Sequence, residues 1–534
     1  MKKNSIFKQA AFLAAAGILV RIIGLLYRSP LTKLIGSQGM GYYSTAYNVY
    51  ALILLVSSYS IPTAISKLLS EKLAVNQYNN VKKILLCSFI YIVAVGGGAA
   101  IIAFVIAPYI VPDKAVSALR ILCPTIFLSG LLGIFRGYFQ AFKTTAFTGI
   151  SQIIEQVFNA GVSIGAAYLF IQPYLNNQSL VASHGATGSA LGTGAGVLIS
   201  LCYMLFMFKR TKQSYLNPPN IEAADPHTDS FKDIFKMISN IVTPIILATC
   251  VYNLISTIDM YMFYLVCGDG AKSISAFGAY GGEYIILQNV PVALASAMST
   301  ASIPNISSAW LFKDTAEVKK QIAQGTKVIM LILIPSAVGM SILAVPIIQA
   351  IFPQKETVVL ASTLLTFGSP AIVFYGLSTY TNGLLQALGY SSIPLKNAIY
   401  ALIIHCFITL FLLLATNLNI YSLLIGNCLY GLQLCFANQR ALKHITTYYQ
   451  EKLHTFIYPL ISSAIMAFTV ALCYYGLIKV IDRLIITLFI AIVIGVIIYF
   501  GTLLFLYKDN VEELSQIPYR QKQHVNEWIN ERNR

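Results

Sequence analysis

Long stretches of this chain run on without a single charged side chain, among them Ile84–Pro112 and Tyr284–Phe312 for 29 residues each, Val328–Gln354 for 27 and Asn397–Gln439 for 43. A helix rises about 1.5 Å per residue, so about 20 apolar residues cross a hydrocarbon layer about 30 Å thick. Chains built of such runs fold in a bilayer. Only 10% of the residues are charged, against about 25% in a soluble protein. That excludes an ordinary water-soluble enzyme and a disordered chain. The net charge of +16 is then a matter of membrane orientation, not of nucleic acid. The reading is an all-α integral membrane protein of about 14 spans: 7–34, 41–66, 84–110, 115–141, 147–171, 185–208, 237–266, 275–310, 328–352, 357–388, 394–416, 419–438, 455–478 and 484–507. The 43-residue run is divided at Asn417-Leu418-Asn419. Pro291, Pro304 and Pro370 mark the two longest spans for kinks or overhang.

With the first residues placed in the cytosol and the sides alternating, 26 of the 36 Lys and Arg fall on the inner side and six on the outer side or its margins. This is a strong positive-inside signal and puts both termini in the cytosol. Met1-Lys2-Lys3 before an apolar run has the look of a signal peptide. It lacks a small-residue cleavage site, and Arg21 and Arg28 interrupt or close the run, so it reads as a retained first helix. The Lys209–Lys236 insert and the tail after Tyr507 are 28 and 27 residues long, too short for a core of their own. Almost all of the nine Cys fall in apolar runs, without CxxC spacing, and they read as small hydrophobes.

The chain repeats itself. Shifted by 242 residues, Gly39, Tyr42, Ser60, Ile61 and Pro62 fall on Gly281, Tyr284, Ser302, Ile303 and Pro304. Shifted by 246, Pro124, Gly130, Gly137 and Gln140 fall on Pro370, Gly376, Gly383 and Gln386. An offset of six spans preserves orientation, so the repeats are parallel. The predicted organisation is an N-terminal six-helix lobe over 1–210, a cytoplasmic linker over 211–236, a C-terminal six-helix lobe over 237–445, helices 13 and 14 over 455–507 and a cytoplasmic tail over 508–534. Two such lobes can rock about a central cleft.

An ionised side chain at mid-bilayer costs about 2.5–3.5 kcal/mol on insertion scales, so it faces protein or water. Arg21 lies about 21 Å into the first span, and Arg28, Arg120 and Arg136 sit in or at the ends of theirs. Snorkelling is the plain alternative. Gln152, Glu155, Gln156 and Asn159 share one helical face, and Tyr42, Tyr43, Tyr47 and Tyr50 make a phenol stripe that also suits a membrane interface. The surplus of guanidinium over carboxylate in the first half fits an anionic headgroup better than a cationic drug. Candidate substrate-binding residues are Arg21, Arg28, Arg136, Glu155, Tyr42, Asn48, Gln152 and Asn289. Candidate ion-coupling residues are Glu155, Asp259 and Glu283, for Na+ or H+. No catalytic or metal-binding set is expected, and no other cofactor.

The runs Arg21–Tyr43, Ser60–Leu68, Gly185–Thr193, Tyr280–Pro291 and Ser302–Ser307 resemble the polysaccharide-transporter branch of the multidrug/oligosaccharidyl-lipid/polysaccharide exporter superfamily, in particular its stage V sporulation protein B-like and Gram-positive lipid II flippase-like members. The resemblance implies a MATE-like fold and transfer of an undecaprenyl-pyrophosphate-linked sugar across a bacterial plasma membrane. Arg21 and Gly24 match the first-helix pattern of lipid II flippases, and Arg28 matches it with a one-residue shift. Those proteins also carry a basic residue on helix 8, which Tyr284–Val290 lacks; other lipid-linked glycans therefore stay open. The resemblance implies that helices 13 and 14 hold the lipid tail. The expected partners are the lipid-linked glycan and membrane lipid, with no nucleic acid, and the protein is expected as a monomer. The rival readings are a cation-coupled multidrug exporter of the same superfamily and a membrane glycan polymerase or ligase.

Overall fold

The computed structural model describes residues 16–17, 19–59, 61–142, 144–216, 228–352, 354, 356–481 and 483–507, and among them every regular element is a helix. Lys2, Lys3, Lys8, residues 217–227 of the linker and the whole tail lie outside the described residues. Residues 19–26 are helical and lead into α1 (Arg28–Leu54), which swivels at Gly36 with φ 73° and ψ 172°. That backbone region is open to glycine and closed to most residues. The first two expected spans are therefore joined without a loop.

The chain continues as α2 (Ile61–Ala74), α3 (Tyr78–Tyr91), α4 (Gly97–Ile110), α5 (Asp113–Ala141), α6 (Thr145–Ile171) and α7 (Gln178–Leu216). The second half holds α8 (Phe231–Cys267), α9 (Ala271–Phe277), a π-helical segment Gly278–Tyr284, α10 (Ile285–Leu311), α11 (Thr315–Ile342) and α12 (Ala344–Ile351). It ends with α13 (Val358–Gly368), α14 (Pro370–Ala387), α15 (Ser392–Ala415), α16 (Ile420–Thr446), α17 (Tyr458–Leu477) and α18 (Leu484–Tyr507).

Among the described residues ten helices are long and apolar enough to cross a membrane, and up to eleven if the bent pair α13–α14 is one span. The chain is a multi-pass membrane protein. Fourteen are not reached by that measure among the described residues. Arg28–Leu73 passes as one stretch through the Gly36 swivel, and α8 contributes only the shorter apolar helix Leu254–Cys267.

The expected bend at Pro370 is present, 52° between α13 and α14. The span over 275–310 instead departs from α-geometry at Gly278–Tyr284, ahead of Pro291 and Pro304, and α10 runs through both prolines. A missing N–H leaves one helical bond unmade, which neighbouring helices tolerate. The 43-residue run breaks at Thr416–Asn419, as the asparagines predicted.

Small residues bring α6 and α7 together. A Cβ on Gly192 would lie 2.5 Å from the Asn159 carbonyl, and one on Gly196 2.4 Å from the Glu155 carbonyl. Only glycine permits that approach, and it fixes the face carrying Glu155. α8 has divided loyalties. Ile234, Ile238 and Val242 share a core with Ile61, Val81 and Tyr138 of the first half, whereas Ile255 packs with Ala398 and Tyr430 of the second. The start of α8 is also moored: Asp229 pairs with Lys72 at 2.5 Å, and its N–H donates to the Asn80 side-chain oxygen at 2.8 Å.

Candidate functional site

A cavity of about 720 Å³ lies between the two halves. Residues 19–28 form one wall, presenting Arg21, Gly24 and Arg28. Arg21 and Arg28 are seven residues apart, two turns on one face. Gly24 sits between them. A Cβ there would lie 3.2 Å from the Gln156 amide nitrogen, so the missing side chain lets the polar face of α6 come close. The facing wall is α10, with Asn289 and Ser296, and α14, with Tyr375, Ser378, Thr379, Asn382 and Gln386.

Three of the predicted residues, Arg21, Arg28 and Asn289, thus meet at one cavity. The others do not line it. Arg136 donates to Glu155 Oε2 at 2.7 Å and to Ser151 Oγ at 2.9 Å, between α5 and α6. Gln152, half-buried, lies on that same face. Tyr42 is buried and accepts a bond from the Gln38 amide at 3.2 Å. It lines a separate pocket of about 460 Å³ with Asp113, Lys114 and Asp269. Tyr43 and Tyr50 are buried as well, so three of the four phenols belong to the core and not to an interface belt. Asn48 is half-buried.

The buried acids have partners that the sequence could not name. Asp259 is 1% exposed and is bonded to His405 Nε2 at 2.7 Å, with the Tyr280 hydroxyl donating to it at 3.4 Å. The Asn427 amide in turn donates to Tyr280 at 3.2 Å. Glu283 has no exposed surface. Its Oε1 accepts from the Thr357 hydroxyl at 3.3 Å and its Oε2 has no hydrogen-bond partner.

Around Glu283 the two halves are pressed together. Ser37 of α1 bonds Thr357 at 2.7 Å, and the Gln354 amide donates to the Thr32 carbonyl. A Cβ on Gly278 would lie 2.3 Å from the Ser37 carbonyl. One end of the interface between the halves is therefore shut. No cluster of His, Cys, Asp and Glu fit to hold a metal occurs among the described residues.

None of Tyr375, Ser378, Thr379, Asn382 and Gln386 is among the binding residues expected from the sequence. The signal was present: in a helix without charge, those five positions follow spacings of three, one, three and four, a single face.

The sequence profile described as polysaccharide biosynthesis protein matches residues 6–310, more than half of the chain. The chain belongs to that family. The profile described as MatE matches residues 244–411 of the second half. Among relatives in this family's orbit, the lipid II flippase MurJ of Bacillus subtilis (strain 168) is 23% identical over 407 residues, covering 72% of this chain and 73% of its own. Stage V sporulation protein B of the same organism is 23% identical over 416 residues, covering 75% and 76%. Among solved structures, a lipid II flippase MurJ in an inward closed conformation superposes with a TM-score of 0.70 at 16% identity, covering 93% of this chain and 99% of that one. An inward-facing multidrug resistance MATE family transporter superposes at 0.60 with 12% identity, covering 84% and 98%. The chain thus shares the fold of these two transporters.

Proposed function

We propose that this protein is a flippase for a lipid-linked polysaccharide precursor in a bacterial plasma membrane, working by alternating access with both termini in the cytosol. One observation carries the reading: two guanidiniums, Arg21 and Arg28, border a cavity between the halves of a membrane-embedded fold. Family membership and relatives named for moving lipid II support it. Guanidinium groups bind phosphate in bidentate fashion, and two of them in a low-dielectric site suit a diphosphate. The polyprenyl tail stays in lipid while only the headgroup crosses.

In this reading the end joined at Ser37–Thr357 is the outer one and the cavity serves the cytosolic leaflet. Arg21, Arg28 and Asn289 are the first contacts. Arg136, Glu155, Gln152, Tyr42 and Asn48 meet the headgroup only at a later stage of the cycle. Coupling to Na+ or H+ acts through Glu155, Asp259 or Glu283; of these three, Glu283 is the one with a fully buried carboxyl oxygen that has no hydrogen-bond partner among the described residues.

The test is binding of undecaprenyl diphosphate to the full chain in lipid nanodiscs. Arg21→Ala and Arg28→Ala each weaken it about tenfold or more, given about 1.5–3 kcal/mol for a charge-assisted bond. Unchanged binding in both variants ends the assignment. A cation-coupled multidrug exporter is the second reading, favoured by the buried Asp259–His405 pair inside the MatE-matching region. Binding of a cationic dye with no binding of the diphosphate lipid would put it first.

A further inference from the structure

The two walls of the cavity differ in kind. Both guanidiniums stand on residues 19–28. The other wall belongs to α10 and α14, and neither Ile285–Leu311 nor Pro370–Ala387 contains a charged residue. What α14 presents is a stripe of neutral donors and acceptors: Ser378, Thr379, Asn382 and Gln386. The Gln386 amide donates to the Asn382 side-chain oxygen at 2.8 Å. That bond orients both side chains and leaves the Asn382 NH2 and the Gln386 carbonyl for another partner. Tyr375 stands at the head of the stripe with its hydroxyl buried, so its ring is the part that faces the cavity.

A diphosphate is satisfied by the guanidinium wall. It has no reason to turn to the other. A group made of neutral hydroxyl and amide functions is matched by that other wall, each function both donating and accepting. A carboxylate pressed there would be desolvated with no cation to compensate.

We propose that α14 is the sugar-reading face of the cavity and that the cargo is a diphosphate lipid whose first sugar is uncharged, read by Thr379 and Asn382 with Ser378 and Gln386 beside them. The inference rests on the flippase reading above and adds the class of sugar and the residues that select it.

Three probes separate the two: undecaprenyl diphosphate, the same lipid bearing N-acetylglucosamine, and the same lipid bearing a uronic acid. Dissociation constants are measured on the full chain in nanodiscs by native mass spectrometry. The neutral-sugar lipid is expected to bind about tenfold or more tighter than either of the others, one or two net hydrogen bonds' worth. Thr379→Val with Asn382→Leu is expected to bring the neutral-sugar and bare lipids within about twofold of each other. If the double variant does not fold, Thr379→Val alone, which keeps the volume, is expected to cut the preference about threefold or more. A preference that survives these substitutions, or a uronate lipid bound as tightly as the neutral one, overturns the proposal. Equal binding of all three lipids overturns the assignment to α14 and leaves the flippase reading standing. Binding of none overturns both.

Discussion

Ser37 and Thr357 meet hydroxyl to hydroxyl at 2.7 Å, although 320 residues separate them. The Thr357 proton is directed to Glu283, so Ser37 donates to Thr357 and the chain of bonds runs from α1 to the π-helical segment. This is one of several points where the first half of the molecule holds the second.

Replacing both residues with cysteine, in a chain whose native cysteines are alanine, is predicted to give a disulfide, because the side chains already meet within the reach of one. Peptide mapping checks the bond. If the clasp opens during each cycle, the cross-linked protein loses lipid transfer between leaflets and regains it on reduction. A fully cross-linked protein that still transfers lipid contradicts the role of this contact.

Gly278→Ala is expected to push the same contact apart. The new methyl would overlap the Ser37 carbonyl, and overpacking of this kind costs about 1–3 kcal/mol. The yield of the Ser37–Thr357 disulfide is the readout, and it should fall severalfold.

The Arg136–Glu155 pair, at 2.7 Å, predicts a different pattern. Glu155→Gln leaves a guanidinium with Ser151 and Ser200 as its partners. The expected loss is about 1.5–3 kcal/mol, as for a bond to a charged group. Arg136→Gln added to it should cost little more. A thermal-unfolding cycle over the four proteins measures the coupling, and additive losses would mean that the two side chains do not support each other.

His405→Leu removes the partner of a buried carboxyl. Breaking a buried pair on one side costs about 3–5 kcal/mol, so the thermal midpoint should drop more than for Glu155→Gln. Asp259→Asn with His405→Leu should recover part of the loss. A single variant as stable as the parent would show that Asp259 finds another donor.

Outside the spans, Glu451 governs a turn. Partial burial pushes its carboxyl up, but the His454 N–H and ring and the Thr455 donors outweigh this and hold it below the ordinary value of 4.5. A lowered folded-state value contributes stability above the unfolded one and loses it as the pH falls. The turn before α17 should therefore loosen on acidification below about pH 4, seen as faster hydrogen exchange at Thr455, and Glu451→Gln should remove that pH dependence.

The helices were legible because charge is so costly in lipid that its absence marks their extent. Pro370 and the Asn417–Asn419 break were legible for local steric and polar reasons. The partners of the buried acids were not. Periodicity says that Glu283 or Asp259 faces inward but not that Thr357 or His405 waits there, 74 and 146 residues away. The burial of Tyr42 was not legible, because a buried phenol and an interfacial one have the same spacing. The role of the α14 stripe was not legible, because neutral polar groups on a helical face serve equally well as contacts between helices.

Arg28 and Ser37 belong to a single element, nine residues apart, with Gly36 as the hinge pin between them. Any rotation of the helix at Arg28 that Gly36 does not absorb is carried to the Ser37–Thr357 contact. One short stretch of backbone thus borders the cavity at one end and the contact between the halves at the other.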